Sequence, residues 1–145
     1  MKIYLAGPFF SAEQIELIEK VETALKNNPT VDTFHSPRLD QEGEFEEFTP
    51  QWAKETYLKD MHHIKTADCL VALLDYEHGI TDPGTAYEIG IATMLEKPVV
   101  GLLTAGDRVN IMLTESLHAF TKNVNDLSNY DFTVLPRSAY FGNYI

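Results

Sequence analysis

The sequence predicts an α/β fold: a flavodoxin- or Rossmann-like, doubly wound sheet of five parallel strands. Three observations carry this. Apolar runs at 2–6 (KIYLA), 68–74 and 98–103 are continuous rather than alternating, as strands covered on both faces are. Helical patterns separate them, giving the β-α-β order of a parallel sheet. Three of those patterns open on a start signal: Ser11 with Gln14 three residues on, Thr49 before Pro50, and Asp82 before Pro83.

The first strand, 2–6, ends at Gly7-Pro8. Ser11 then opens a helix whose Ile15, Ile18, Val21 and Leu25 recur at helical spacing, and Asn27-Asn28-Pro29 stops it. A second strand is expected over 31–36, and 37–48 reads as an acidic loop. A helix follows from Pro50 to about 65, then the strand 68–74 and a turn-rich loop at 75–81. The next helix starts at Pro83 and ends near 96, before the strand 98–103. A helix around 110–119 and a weak strand at 132–135 close the order, while the tail SAYFGNYI shows no element. Ligands of such sheets sit outside the carboxyl ends of the strands. The loops to watch are therefore 7–11, 37–49, 75–82 and 104–110.

Composition narrows the function classes. With 145 residues, 44% of them hydrophobic, the chain can bury a core as one domain spanning 1–145. Its one cysteine, Cys69 in CLVALL, excludes an internal disulfide and reads as a small buried hydrophobe. The opening MKIYLAG is too short an apolar run for a signal peptide, and no run approaches the roughly 20 residues of a membrane helix. A soluble, cytoplasmic protein is expected. A formal net charge of -11 repels polyanions, so no nucleic acid partner is expected, whereas uncharged nucleosides remain possible ligands. His35, His62, His63, His78 and His118 show no metal-site spacing, and neither GxGxxG nor GxxxxGK occurs. No metal and no cofactor are expected.

Two acids look out of place. Glu88 lies mid-helix with Gly84, Thr85, Ile91 and Ala92 at helical distance, so no i,i+4 ion pair is available. Such a carboxylate is partly buried, or on a cavity rim, or simply exposed on a helix side. Gly84 and Gly90 each cost about 1 kcal/mol inside a helix, which suggests close approach of something to it. Asp60 shares a face with Ala53, Tyr57 and Ile64, although a surface position near the helix end would also explain it. Asp82 is accounted for by N-capping alone. Two acids in one cleft suit glycosidic chemistry, where one carboxylate attacks the anomeric carbon and the other serves the leaving group. The pattern alone does not separate this from other uses of paired acids.

The segments KIYLAGPFF, SPRLDQ, WAKETYLKDMHHIKTAD, DPGTAYEIGIA, VNIM, SLHAF and NYDFTVLP resemble those of nucleoside 2-deoxyribosyltransferases over nearly the whole chain. The resemblance implies a covalent nucleophile at Glu88, oriented by Tyr4, with Asp60 assisting proton transfer to the base. It implies that Asp82 binds the sugar hydroxyls, Gln41 contacts the base, and Phe10 and Trp52 form the base pocket, with Phe9 beside them. Asn110 would reach the 5′-hydroxyl in a neighbouring subunit's site, with Met112 next to it. The family's C-terminal Tyr corresponds here to Tyr144, displaced by Ile145. The implied partners are 2′-deoxynucleosides and free nucleobases, and a homo-oligomer built from dimers, hexamers included, with shared sites. The short 37–49 loop favours a broad purine and pyrimidine range. Two rivals stand beside this reading: a 2′-deoxynucleoside 5′-monophosphate N-glycosidase, disfavoured because Asp82 would repel a phosphate, and a non-catalytic nucleoside-binding module.

Overall fold

The computed structural model describes residues 1–145. The elements in order are β1 (Lys2–Ala6), α1 (Ala12–Asn27), β2 (Thr33–His35), α2 (Pro50–Thr66), β3 (Cys69–Leu73), α3 (Pro83–Met94), β4 (Val99–Leu102), β5 (Arg108–Val109), α4 (Ile111–Thr114), β6 (Ala119–Thr121), α5 (Val124–Asn129) and β7 (Asn143–Tyr144). The main sheet has five parallel strands in the order β2-β1-β3-β4-β6. The doubly wound five-stranded fold is thus as expected.

Alternation along the strands builds two cores. Ile3 and Leu5 of β1 join Ile18, Val21 and Leu25 of α1 and Leu127 of α5 on one face. Tyr4 and Ala6 turn the other way, into a cluster with Met61 and Ile64 of α2 and Ile89 and Ala92 of α3. Every residue of β3 is buried, as a central parallel strand requires. Cys69 is buried and unpaired, and burial pushes its thiol up to about 12, which leaves it inert at neutral pH. No helix is long and apolar enough to cross a membrane.

The three helix starts are as their sequences demand. Ser11 Oγ accepts the Gln14 N–H, and the Gln14 side chain accepts the Ser11 N–H at 3.1 Å. Thr49 Oγ1 accepts the Trp52 N–H, and Asp82 Oδ2 accepts the Thr85 N–H at 2.9 Å.

The second half departs from expectation. The expected helix at 110–119 is one turn, α4, after which the chain turns directly into β6. This three-residue strand, not 132–135, is the fifth strand of the sheet. The 132–135 segment cannot be one: Leu135 has φ 54, left-handed backbone that a strand does not use. Phe132 is instead an anchor of the α1-side core. The unexpected α5 is capped by Asn123, whose side chain accepts the Asn125 N–H at 3.0 Å. The tail is ordered too: β7 pairs with β5, in register Val109 with Tyr144. β2 is shorter than expected, and α3 stops at Met94, with Glu96 at φ 56 terminating the turn.

The chain runs from β1 outward to β2, then crosses to β3 on the other side of β1. The reversal leaves a crevice at the carboxyl ends of β1 and β3, the place where such sheets bind ligands. Tyr4 stands on β1 beside it, in register with Leu70 of β3.

Candidate active site

The site grows from α3. Asp82 ends the loop after β3 and caps the helix, fixing where its first turn begins. Six residues on, Glu88 emerges on the face that carries Ile89 and Ala92 toward the sheet side of Tyr4. The Tyr4 hydroxyl donates to Glu88 Oε1 at 2.5 Å, a short, strong contact between residues far apart in sequence. Tyr4 itself is fully buried. Its ring is core, and its hydroxyl is the polar handle that a buried tyrosine must pair.

The electrostatics of this pair are unusual. Burial pushes the Glu88 carboxyl up to about 8; Tyr4's hydrogen bond pulls it down, and the nearby Asp60 and Asp82 carboxylates raise it further. Tyr4 is driven above the usual phenol range, first by burial and then by the charges of Glu88 and Asp60. Hence the phenol stays protonated and acts only as a donor. Perturbed carboxylates of this kind mark functional clefts.

Asp60, Gln41 and Trp52 line one narrow crevice together with Asp40, Thr56 and Lys59. Lys59 Nζ donates to the Asp40 carbonyl at 2.8 Å and the Glu42 carbonyl at 3.0 Å, tying the loop after β2 to α2. The same loop is anchored underneath by Glu22, which accepts from Ser36 Oγ at 2.7 Å and from Arg38. The Gln41 amide is turned back onto the Pro37 carbonyl. Trp52 packs against Phe48 with ring centroids 5.2 Å apart. Phe48, an aromatic that sequence reasoning did not single out, is 86% exposed and held at φ 65.

Other expected residues stand apart. Phe10 is 69% exposed and stacks on Phe9 at 5.6 Å, while Phe9 packs against the α1-side core, across the sheet from Tyr4. Asn110 is exposed and caps α4, its Oδ1 accepting the Met112 N–H at 2.9 Å. Met112 is largely exposed beside it. Tyr144 lies in β7 and packs on Tyr140. The chain end holds the Asn110 turn in place, because the Ile111 N–H donates to the Ile145 carbonyl at 3.0 Å and the Ile145 N–H to Val109 at 3.1 Å. None of these residues hydrogen-bonds Glu88.

The glycines behave differently from expectation. A Cβ at Gly90 would meet nothing within 4 Å, so nothing in this chain approaches it; at Gly84 one would meet the Asp82 carboxylate at 3.0 Å. Gly84 therefore leaves room for the cap, and the crowding inferred for Gly90 does not occur within the chain.

Distance in sequence also hid His35. It comes within reach of Asp40 and His63, and one nitrogen or oxygen from each of the three lies within 4.8 Å of the others. A shared ion does not fit: the two imidazoles are stacked at 3.5 Å with planes 5° apart, so their in-plane lone pairs run parallel and cannot converge on one centre. A wider cleft of about 390 Å³ lies between α1 and the loops at 75–77 and 104–105. Of its four acids, Asp75 is already engaged by the N–H groups of Thr104, Ala105 and Gly106, Glu13 accepts from Ser11 Oγ at 2.9 Å and Glu16 from Lys20 Nζ at 2.7 Å, and the cleft contains none of the expected site residues.

The sequence profile of the family Nucleoside 2-deoxyribosyltransferase matches residues 3–132. The chain belongs to this family. A nucleoside deoxyribosyltransferase of Limosilactobacillus fermentum is 34% identical, over 88% of this chain and 82% of that one. The solved 2-deoxyribosyltransferase of Bacillus psychrosaccharolyticus is 39% identical and superposes with a TM-score of 0.88 over 97% of this chain and all of that one. A CMP N-glycosidase of Clostridium botulinum, 16% identical with a TM-score of 0.56 over 89% of this chain and 96% of that one, shares the fold. The chain is thus a member of an enzyme family of nucleoside deoxyribosyltransferases, whose substrates are nucleosides and nucleobases.

Proposed function

We propose that the protein transfers 2-deoxyribose between nucleobases through a covalent intermediate on Glu88. The carrying observation is the Tyr4–Glu88 contact: a buried carboxylate aimed by a phenol, at the switch point of the sheet, with two more acids around it. A Glu88 carboxylate oxygen attacks C1′ as the C1′–N bond breaks; its electron pair leaves with the base nitrogen, which takes a proton from Asp60. An incoming base then attacks C1′ and releases the carboxylate, so two inversions retain configuration. A 2-deoxy sugar lacks the electron-withdrawing 2′-hydroxyl that would oppose positive charge at C1′. Asp82 is assigned to the sugar hydroxyls, Gln41, Trp52 and Phe10 to the base, with Phe9 behind Phe10.

The perturbed carboxyl fits this sequence. With its carboxyl pushed up to about 8 by burial, Glu88 favours the protonated form at neutral pH in the empty site. Sugar hydroxyls donating to Asp82, and a proton on Asp60, would weaken two of the charges that raise it. Substrate binding would then favour the ionised nucleophile beside a protonated acid, the division of labour two-carboxylate enzymes need.

Asn110 is exposed and held by the chain end rather than by its own Glu88, which suits service to a neighbouring subunit. We assign a dimer-based homo-oligomer with Asn110 and Met112 completing the partner's site and Tyr144 supporting them. A cytoplasmic role in nucleoside salvage and a broad range of purine and pyrimidine bases complete the proposal, the latter from the short 37–49 loop. Incubation with thymidine and adenine should yield deoxyadenosine and thymine, and Glu88→Ala should yield none. A mutant that still exchanges bases refutes the assignment. The fold shared with a CMP N-glycosidase keeps monophosphate hydrolysis as the second reading. Asp82 and the net charge of -11 oppose a phosphate, so deoxyuridine should be used far better than its 5′-monophosphate.

A further inference from the structure

His35 is the polar residue of this site that the proposed reaction leaves without work. It lies on β2 in register with Tyr4 of β1, so both side chains face the α2 and α3 side. Its ring is sandwiched between the rings of Tyr4, at 5.6 Å, and His63, at 3.5 Å. In that slot its two nitrogens address two carboxylates. Nδ1 lies 3.8 Å from Asp40 Oδ2, and Nε2 lies 4.0 Å from Asp60 Oδ1. Both Nε2 and Asp60 Oδ1 are buried, and neither has a hydrogen-bond partner. Two facing buried atoms of complementary type, both unsatisfied, are costly unless they serve each other.

We propose that Asp40, His35 and Asp60 form a proton relay in which His35 keeps Asp60 supplied with the proton it gives to the departing base. This rests on the transferase reading above. The chemical need is specific. A free carboxyl group ionises near 4 and has almost no proton to give at neutral pH, whereas an imidazole ionises near 6.5, so it exchanges protons with solvent there and can refill a neighbouring carboxylate. As the C1′–N bond breaks, the base nitrogen takes the Asp60 proton, and His35 Nε2 replaces it. Asp40 is 38% exposed and connects the other ring nitrogen to solvent, from which His35 is reprotonated. In the second half-reaction the relay runs backwards: Asp60 takes the incoming base's proton as it passes its own to His35, which releases one past Asp40 to solvent, so one proton enters and one leaves per cycle and the cycle balances. The 4.0 Å gap exceeds a hydrogen bond and closes with a small rotation, as acid–base contacts do when substrate binds.

The surrounding charges favour His35 as the carrier. From α2 it faces Asp60, His63 and, beyond, His62; from its own loop Asp40, itself paired with Lys59; from β1 Tyr4, and through it Glu88 of α3. His63 is held below the usual imidazole range, first by burial and then by His35, with Lys2 and His62 adding to it. Of the two stacked imidazoles, His35 is the one whose two nitrogens each face a carboxylate.

Two measurements test this, one of them independent of turnover. In ¹⁵N-histidine NMR, Asp60→Asn should lower the His35 titration midpoint by at least about half a pH unit. An unmoved midpoint overturns the relay whether or not the enzyme turns over. In exchange assays, His35→Phe, which keeps the ring stack, should lower kcat on deoxyuridine about tenfold to a hundredfold, with KM little changed and the alkaline limb of kcat moved to lower pH. The loss should shrink to about threefold or less on 5-fluorodeoxyuridine, whose base leaves with less need of a proton. Asp40→Asn, at the surface, should move the limb the same way. Equal losses on both donors with an unmoved limb refute the relay and leave the transferase reading standing. No exchange by the wild type on any deoxynucleoside refutes both.

Discussion

Replacing Glu88 by Gln should stabilise the protein, and increasingly so as the pH rises. The carboxyl moves from its ordinary value of 4.5 to about 8 because burial disfavours its charge. Such a group favours the folded state fully while protonated, below about 4.5, and that contribution is lost as pH rises through about 8. At about 1.36 kcal/mol per pH unit, the interval corresponds to about 5 kcal/mol once Glu88 is fully ionised. Structural relaxation around a buried charge reduces this, and about 1–3 kcal/mol at pH 8.5 is the expected gain. Gln keeps an oxygen to accept from Tyr4, so the substitution removes the charge and little else. Urea unfolding of both proteins at pH 5, 7 and 8.5 measures the difference. It should be near zero at pH 5 and largest at pH 8.5. A gain that does not change with pH, or a loss at pH 8.5, would refute the idea that Glu88 is a desolvated carboxylate.

Further outcomes follow from the same geometry. Tyr4→Phe removes the hydrogen bond that holds Glu88 down, so the acid limb of kcat/KM should move to higher pH, with activity at pH 7 falling about tenfold to a hundredfold. Asp82→Ala loses the α3 cap and should cost about 1 kcal/mol in thermal or urea unfolding. Asp82→Asn keeps a capping oxygen but removes a charge that raises Glu88, so its acid limb should move to lower pH in a pH–rate profile. Deleting Tyr144-Ile145 removes β7 pairing and the Ile145–Ile111 bond; kcat/KM should fall through the loosened Asn110 turn, while Tm changes by only a few degrees, since both residues are largely exposed.

Elements with a local signature were legible in the sequence. Each of the three long helices opens on a cap that the structure shows in place, and β3 is apolar from end to end because helices cover both its faces. What escaped was short or depended on partners. β6 has three residues and α5 six, too few for a period to emerge. β7 exists only because Val109 comes beside Tyr144. The site divides similarly. Glu88 was visible as an acid without a local partner, and Asp60 as an acid on an apolar stripe. Tyr4, buried in an apolar strand, reads as core until its hydroxyl is seen on Glu88. His35 was invisible for a related reason: its relation to Asp60 is made by strand register and a helix 25 residues on, and no spacing encodes it.

The central claim is that Glu88 bonds to C1′. The direct test is to incubate the protein with a 2′-deoxy-2′-fluoro nucleoside, whose fluorine slows turnover, and to map the adduct by peptide mass spectrometry. One fluorodeoxyribosyl group per chain is expected, on Glu88, released by added adenine. An adduct on another residue, or exchange that proceeds in Glu88→Ala, would contradict it.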